Sequence, residues 1–355
     1  MTAVETPAGA APEAVPGRRP QRKDRPDPRE GTHRLALGQA LRCGLRRALA
    51  DDDRVLLFGE DVGALGGVFR VTAGLREEFG RERVFGTPLG ESGILGAALG
   101  LALRGHRPVV EVQFDGFVYP ALDQLCTQVS HYRYRSEGAC TVPLVLRLPY
   151  GGAIGAVEHH SESPEALFVA TPGLRVLAPS DPADAHGLLL AAVASDDPVV
   201  LLEPKRRYWD TGEVDLDAPP APLDGARVLR PGSDCTVVGY GATTATCLAA
   251  AEAAVEEGLD LEVVDLRSLA PLDVDTLAES VTRTGRCVVV SEAPPRCSVA
   301  SEVAASVAEA AFWHLEAPVE RVTGFASPYP PARLEGHHVP DADRVLAAVD
   351  RALAA

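Results

Sequence analysis

Twice along the chain, short runs rich in Val, Leu and Ile alternate with longer stretches of helical spacing, and a proline- and aspartate-rich interval separates the two series. Apolar strands joined by helices imply parallel pairing under right-handed crossovers. The expected fold is therefore α/β, with helices covering the sheets. In the first series, apolar residues recur at helical spacing over 35–50, and RVLLFGEDVG then reads as a buried strand ending in a glycine turn. HRPVVEVQF, VPLVLRLPYG and PVVLLEP follow as strands, and ALDQLCTQVSHYRYR and PADAHGLLLAAVAS as helices. CTVVGY, LEVVDL, CVVVSEA and VERVTGF form the second series, which closes with a helix from Asp341. At 355 residues the chain can bury two cores. The expected division is a tail over 1–32, a first domain over 33–207, a linker over 208–228 and a second domain over 229–355.

Charge narrows the function classes. A net charge of -16 opposes a polyanionic partner, so no nucleic-acid surface is expected. No uncharged apolar run reaches the roughly 18 to 20 residues of a membrane span. The first thirty or so residues scatter Arg18, Arg19, Arg22, Lys23, Arg25 and Arg29 among prolines and alanines. Such a composition reads as a disordered tail. It has no apolar signal core, and Asp24, Asp27 and Glu30 argue against a mitochondrial presequence, so a cytoplasmic location is expected. Seven cysteines without a CxxC pair are read as reduced thiols. Lysine occurs only at positions 23 and 205, which reads as compositional bias.

Several motifs invite chemistry. GYGATT offers Gly239 and Gly241 after a strand, but Thr244 stands where a third glycine would complete a dinucleotide fingerprint, so a tight strand-to-helix turn is expected. The pairs His159-His160 and His337-His338 have no zinc-site context. His160 follows a glycine-rich loop, where an α/β sheet holds its ligands, and reads either as an acid, base or donor or as an ordinary surface histidine. In TPLGESGILGAALGLAL, Glu91 opens a small, apolar helix. It can simply complement the helix dipole. The small residues Gly93, Gly96, Ala97 and Gly100 along one side would instead admit a second backbone and bury Glu91, which would then need a hydrogen-bonding partner.

The stretches GEDVGALGGVFRVTAGL, TPLGESGILGAALGLAL, VEVQFDGFVYPALDQ, HHSESPEA and EPKRRYWD, in this order, resemble the beta subunit of the thiamine-diphosphate-dependent decarboxylating component of 2-oxo acid dehydrogenase complexes. The resemblance runs from about Leu35 to the C-terminus, and YGGAIGAVEHHSESPEA and EPKRRYWD look most like the branched-chain members. It implies a pyrimidine-binding domain, a parallel sheet flanked by helices, followed by a transketolase C-terminal-like α/β domain. It also implies a two-alpha, two-beta assembly with the cofactor between chains. The GDG-to-asparagine motif that holds magnesium and diphosphate in thiamine enzymes is absent here, so the resemblance assigns Mg2+ mainly to the alpha subunit.

By the same resemblance, Glu91 hydrogen-bonds the aminopyrimidine of thiamine, and Phe117 packs on that ring where many members carry tyrosine. Glu60, Leu89 and Gln113 line the cofactor pocket; Phe114, Asp115 and Gly116 border the substrate. His160 assists acyl transfer to the lipoyl arm of an acyltransferase component. Some members hold a structural potassium (K+) near the segments matching 142–144 and 192–197. The implied reaction is oxidative decarboxylation of a branched-chain 2-oxo acid such as 2-oxoisovalerate. Pyruvate or acetoin is the alternative within the family, and a non-catalytic structural or regulatory subunit the alternative outside it.

Overall fold

The computed structural model describes residues 28–355. Most of the tail expected over 1–32 lies outside the described residues, and its last residue, Thr32, already opens strand β1 (Thr32–Ala36). β1 pairs antiparallel with β8 (Thr211–Asp215), inside the interval read as a linker. Val214 and Leu216 alternate with aspartates there and pack with Leu35, Ala40 and Cys43. That period-two alternation is a strand signal, which the surrounding Pro and Asp obscured.

The main sheet has seven strands in the order β12 (Ser268–Ala270), β6 (Arg175–Leu177), β7 (Val199–Pro204), β5 (Val145–Tyr150), β4 (Arg107–Glu111), β2 (Val55–Gly59), β3 (Val84–Gly86). All its pairs are parallel except β12 with β6. A second sheet runs β14 (Glu320–Val322), β13 (Cys287–Val290), β10 (Cys235–Gly239), β11 (Leu261–Asp265), β9 (Arg227–Arg230), parallel except β9 with β11. Each sheet thus ends in one reversed edge strand. Because β12 comes from the C-terminal half, the two halves share a sheet.

Neighbouring residues of the central strands go to opposite faces, as the pleat requires. Leu57, Val109, Val145 and Leu201 pack with residues of the helices Leu37–Asp51 and Pro182–Ala194. The second of these starts on Pro182 with the Asp181 side chain accepting from the Asp184 N–H at 2.8 Å, a conventional cap. Phe58, Val110, Leu146 and Leu202 face the helix Glu91–Leu103 and a core that continues through Tyr240, Val264 and Val299 of the C-terminal half. One apolar layer therefore joins both halves.

ALDQLCTQVSHYRYR does not form one helix. Its region divides into a 3-10 segment over Asp115–Ala121 containing Pro120, a wide π-type turn over Gln124–Val129 and a short helix Tyr132–Arg135. GYGATT forms the expected turn: Gly241 has φ +52°, and a side chain there would collide with the Tyr150 hydroxyl across the two halves. No helix among the described residues is long and apolar enough to cross a membrane.

Candidate active site

The carboxyl ends of five parallel strands deliver the candidate residues to one edge of the main sheet. Glu60 and Asp61 follow β2, Leu89 and Gly90 follow β3, and Gln113 to Phe117 follow β4. The loop carrying His160 follows β5, and Lys205 follows β7. The chain passes from β2 outward to β3 and then back across β2 to β4. The strand order reverses there, and open α/β sheets bind ligands in the crevice at such a point.

On the β4–β5–β7 side the residues form a packed cluster. The His160 ring stacks on Phe114 with centroids 4.0 Å apart and meets Phe117 edge-on at 5.1 Å. Gly116 lets this happen, since a Cβ there would collide with the His159 carbonyl. Beneath the rings, the Lys205 ammonium donates to Asp115 Oδ1 and to the His160 carbonyl, both at 2.7 Å, and lies 5.4 Å from the Phe114 ring centre. Both side chains of the ion pair have zero exposure. Burial pushes the Asp115 carboxyl up to about 7 against the opposing pull of Lys205. It pushes the Lys205 ammonium down against Asp115. Asp115 Oδ2 and His160 Nδ1 are buried without a hydrogen-bond partner, two polar atoms available to a ligand.

A second ion cluster lies deeper in the same strands. Arg147 donates to Glu203 at 2.7 and 2.9 Å and to Glu111 at 2.6 Å, and the Tyr208 hydroxyl donates to Glu203 at 2.5 Å. Burial opposes the Arg147 charge, but the facing carboxylates of Glu203 and Glu111 outweigh it and raise its pKa. Neither this cluster nor Lys205 was singled out from the sequence. The available signal was a lone charge inside each apolar run, Arg147 in VLRLPY and Glu203 in VVLLEP.

On the β2–β3 side the arrangement is open. Glu60 is 6% exposed and accepts from the Gly90 N–H at 3.3 Å. Burial raises its pKa first, and the charge of Glu91 raises it further. Gln113 donates to Asp61 at 2.9 Å. Leu89 is 85% exposed. Glu91 begins its helix half-buried, with no hydrogen bond or ion pair among the described residues. That helix buries Ile94, Leu95, Ala98 and Ala102 and leaves Gly93, Gly96, Ala97 and Gly100 exposed. A Cβ at Gly90, Gly93, Gly96 or Gly100 would meet nothing within 4 Å. The expected backbone contact is therefore not made among the described residues. Burial of Glu91 is incomplete for the same reason.

Among the described residues no three His, Cys, Asp or Glu side chains are grouped to hold a metal, which includes His159-His160 and His337-His338. Of the cysteines, Cys43, Cys235, Cys247 and Cys287 are buried, Cys126 and Cys140 are half-buried and Cys297 is exposed.

Two family models match the chain, the transketolase pyrimidine binding domain over residues 33–209 and the transketolase C-terminal domain over 224–345. The chain is 56% identical to a pyruvate dehydrogenase E1 component subunit beta of Leifsonia xyli, covering 93% of this chain and 97% of the relative. It is 52% identical to a 3-methyl-2-oxobutanoate dehydrogenase subunit beta of Mycobacterium tuberculosis, over 91% and 93%. It is also 47% identical to a 2-oxoisovalerate dehydrogenase subunit beta of Pseudomonas aeruginosa, over 90% and 95%. A solved split-gene transketolase, an inactive beta4 tetramer, shares the fold with a TM-score of 0.73 at 24% identity, covering 90% of this chain and 98% of that one. With both domains matched and close relatives spanning nearly its whole length, the chain belongs to the family of 2-oxo acid dehydrogenase E1 beta subunits.

Proposed function

We propose that this chain is the beta half of a two-alpha, two-beta enzyme that uses thiamine diphosphate to decarboxylate a branched-chain 2-oxo acid and passes the acyl group to the lipoyl arm of an acyltransferase component. The observation that carries the reading is Glu91, a carboxyl group without a hydrogen bond or ion pair among the described residues, at the head of a helix whose glycine side is bare among them too. The donor set suits the aminopyrimidine end of the cofactor, and the metal and diphosphate end falls to the alpha subunit. When bound, thiamine diphosphate supplies the electron sink for loss of carbon dioxide.

Glu60, fixed by the Gly90 N–H, retains a proton more readily than a free carboxyl group, first because it is buried and then because the charge of Glu91 lies nearby. Glu91 offers its carboxyl group to a ring nitrogen of the aminopyrimidine. Phe117 offers an apolar face without a phenolic donor, while Gln113 is held by Asp61. His160, stacked on Phe114 and fixed at its carbonyl by Lys205, presents its ring to the substrate side and serves acyl transfer. Asp115 lends its buried, unpartnered oxygen to the same cluster. The cytoplasm is the proposed compartment.

Branched-chain acids fit the YGGAIGAVEHHSESPEA and EPKRRYWD stretches and two of the relatives named above. Pyruvate is the second reading, favoured by the 56% identical relative that bears its name. The assembled alpha-beta enzyme, assayed with 2-oxoisovalerate and pyruvate side by side, is expected to show the higher kcat/KM for 2-oxoisovalerate. A preference for pyruvate selects the second reading, and turnover of neither acid overturns the proposal.

A further inference from the structure

The loop that brings His160 to the sheet edge does not hold itself in place. Residues 151–160 contain only one short turn, Glu158–His160, and Gly151, Ala153 and Gly155 have φ of +83°, +60° and +73°. A left-handed alanine is uncommon and requires its surroundings to hold it. Those surroundings belong to the C-terminal half. The Gly152 N–H donates to Glu292 Oε2 at 3.1 Å, the Ala153 N–H to the Tyr329 hydroxyl at 2.7 Å, and the Gly155 N–H to the two Glu335 oxygens at 3.1 and 3.3 Å. Tyr329 donates onward to Glu335 at 3.3 Å. Its ring lies so close over the loop that a Cβ at Gly152 would collide with it. Glu292 is paired with Arg206 at 2.9 Å, next to the lysine that grips the His160 carbonyl. The loop is therefore held at its start by the C-terminal half and at its end by Lys205.

We propose that Tyr329 is a positioning residue for His160, so that the C-terminal domain, through one hydroxyl, sets the placement of the histidine in the neighbouring domain. The proposal rests on the reading that His160 serves acyl transfer. Its chemistry is simple: the hydroxyl accepts from an amide whose residue has a conformation that is costly to maintain, and without it the loop can relax away from the stacked Phe114–His160 geometry.

The test uses the assembled enzyme with Tyr329→Phe, His160→Ala and the double variant, each assayed for acyl transfer to a lipoyl domain and for decarboxylation with an artificial electron acceptor. Phenylalanine keeps the ring against Gly152 and removes only the hydroxyl, with its bonds to the Ala153 N–H and to Glu335. Tyr329→Phe is expected to lower transfer by about three- to tenfold, the range for one lost hydrogen bond, and to lower decarboxylation less. Amide hydrogen exchange across 151–160 should rise in the same variant. The double variant should be no slower in transfer than His160→Ala alone, since the hydroxyl acts through the histidine. Wild-type transfer in Tyr329→Phe, beside a selective loss in His160→Ala, overturns the positioning role alone. Effects that multiply in the double variant overturn it as well. Equal loss of both activities in His160→Ala overturns the acyl-transfer reading and the proposal with it.

Discussion

The two ends of the candidate site are finished to different degrees. Around His160 the chain satisfies most of its own groups: Lys205 answers Asp115 and a carbonyl, Arg147 answers two glutamates, and aromatic rings pack on the imidazole. Around Glu91 it does not. Among the described residues the carboxyl group has no hydrogen-bonding partner, and four small residues face outward along a helix that leaves room for another backbone. A region that is complete within one chain can be assembled by folding alone. One that presents a carboxyl group and a bare glycine face is built to be completed by a second chain.

Substitutions on both sides can break or sharpen this contrast. The largest effect is expected for Glu91→Gln, which keeps size and hydrogen-bonding capacity but removes the ionisable proton. Decarboxylation by the assembled enzyme should fall by roughly 10²- to 10⁴-fold, the range for a lost acid–base group, with assembly unchanged by analytical ultracentrifugation. Wild-type turnover would remove Glu91 from the chemistry. On the self-sufficient side, Lys205→Met leaves Asp115 buried and uncompensated, so chemical denaturation should show a loss of about 3 to 5 kcal/mol. Adding Asp115→Asn should restore much of it, and a double variant as unstable as the single one would refute the pairing argument. The smallest effect on the isolated chain is expected for Gly96→Leu: a gain of under ~1 kcal/mol in helix propensity and no clash, because none of the described residues approaches Gly96. Sedimentation with the alpha subunit should nevertheless show weakened assembly. Full assembly would mean that the bare face is not an interface.

How much of this could be read from the sequence follows the range of the signal. The strand and helix alternation is local, and it survives in the central strands, in the helix that begins at Glu91 and in the loop before His160. Strands of three residues, such as β6 and β12, carry no periodicity, so the reversed edge and the shared sheet could not be read. Pro120 and the wide turn after it interrupt a segment whose composition favours a helix. Lys205 was hidden by composition: in a chain that uses arginine almost throughout, a rare lysine looks like bias until it proves to be fully buried against an aspartate. The residues that hold the His160 loop, Tyr329 and Glu335, lie in a proline-rich stretch more than 150 positions away, and only the packing of the two halves brings them to it.

The central claim is that this chain carries one half of a cofactor site. Calorimetric titration of thiamine diphosphate with Mg2+ into the beta chain alone and into the alpha-beta assembly tests it most directly. The account predicts heat of binding only in the assembly, with one site per beta chain, and tight binding to the isolated beta chain would contradict it.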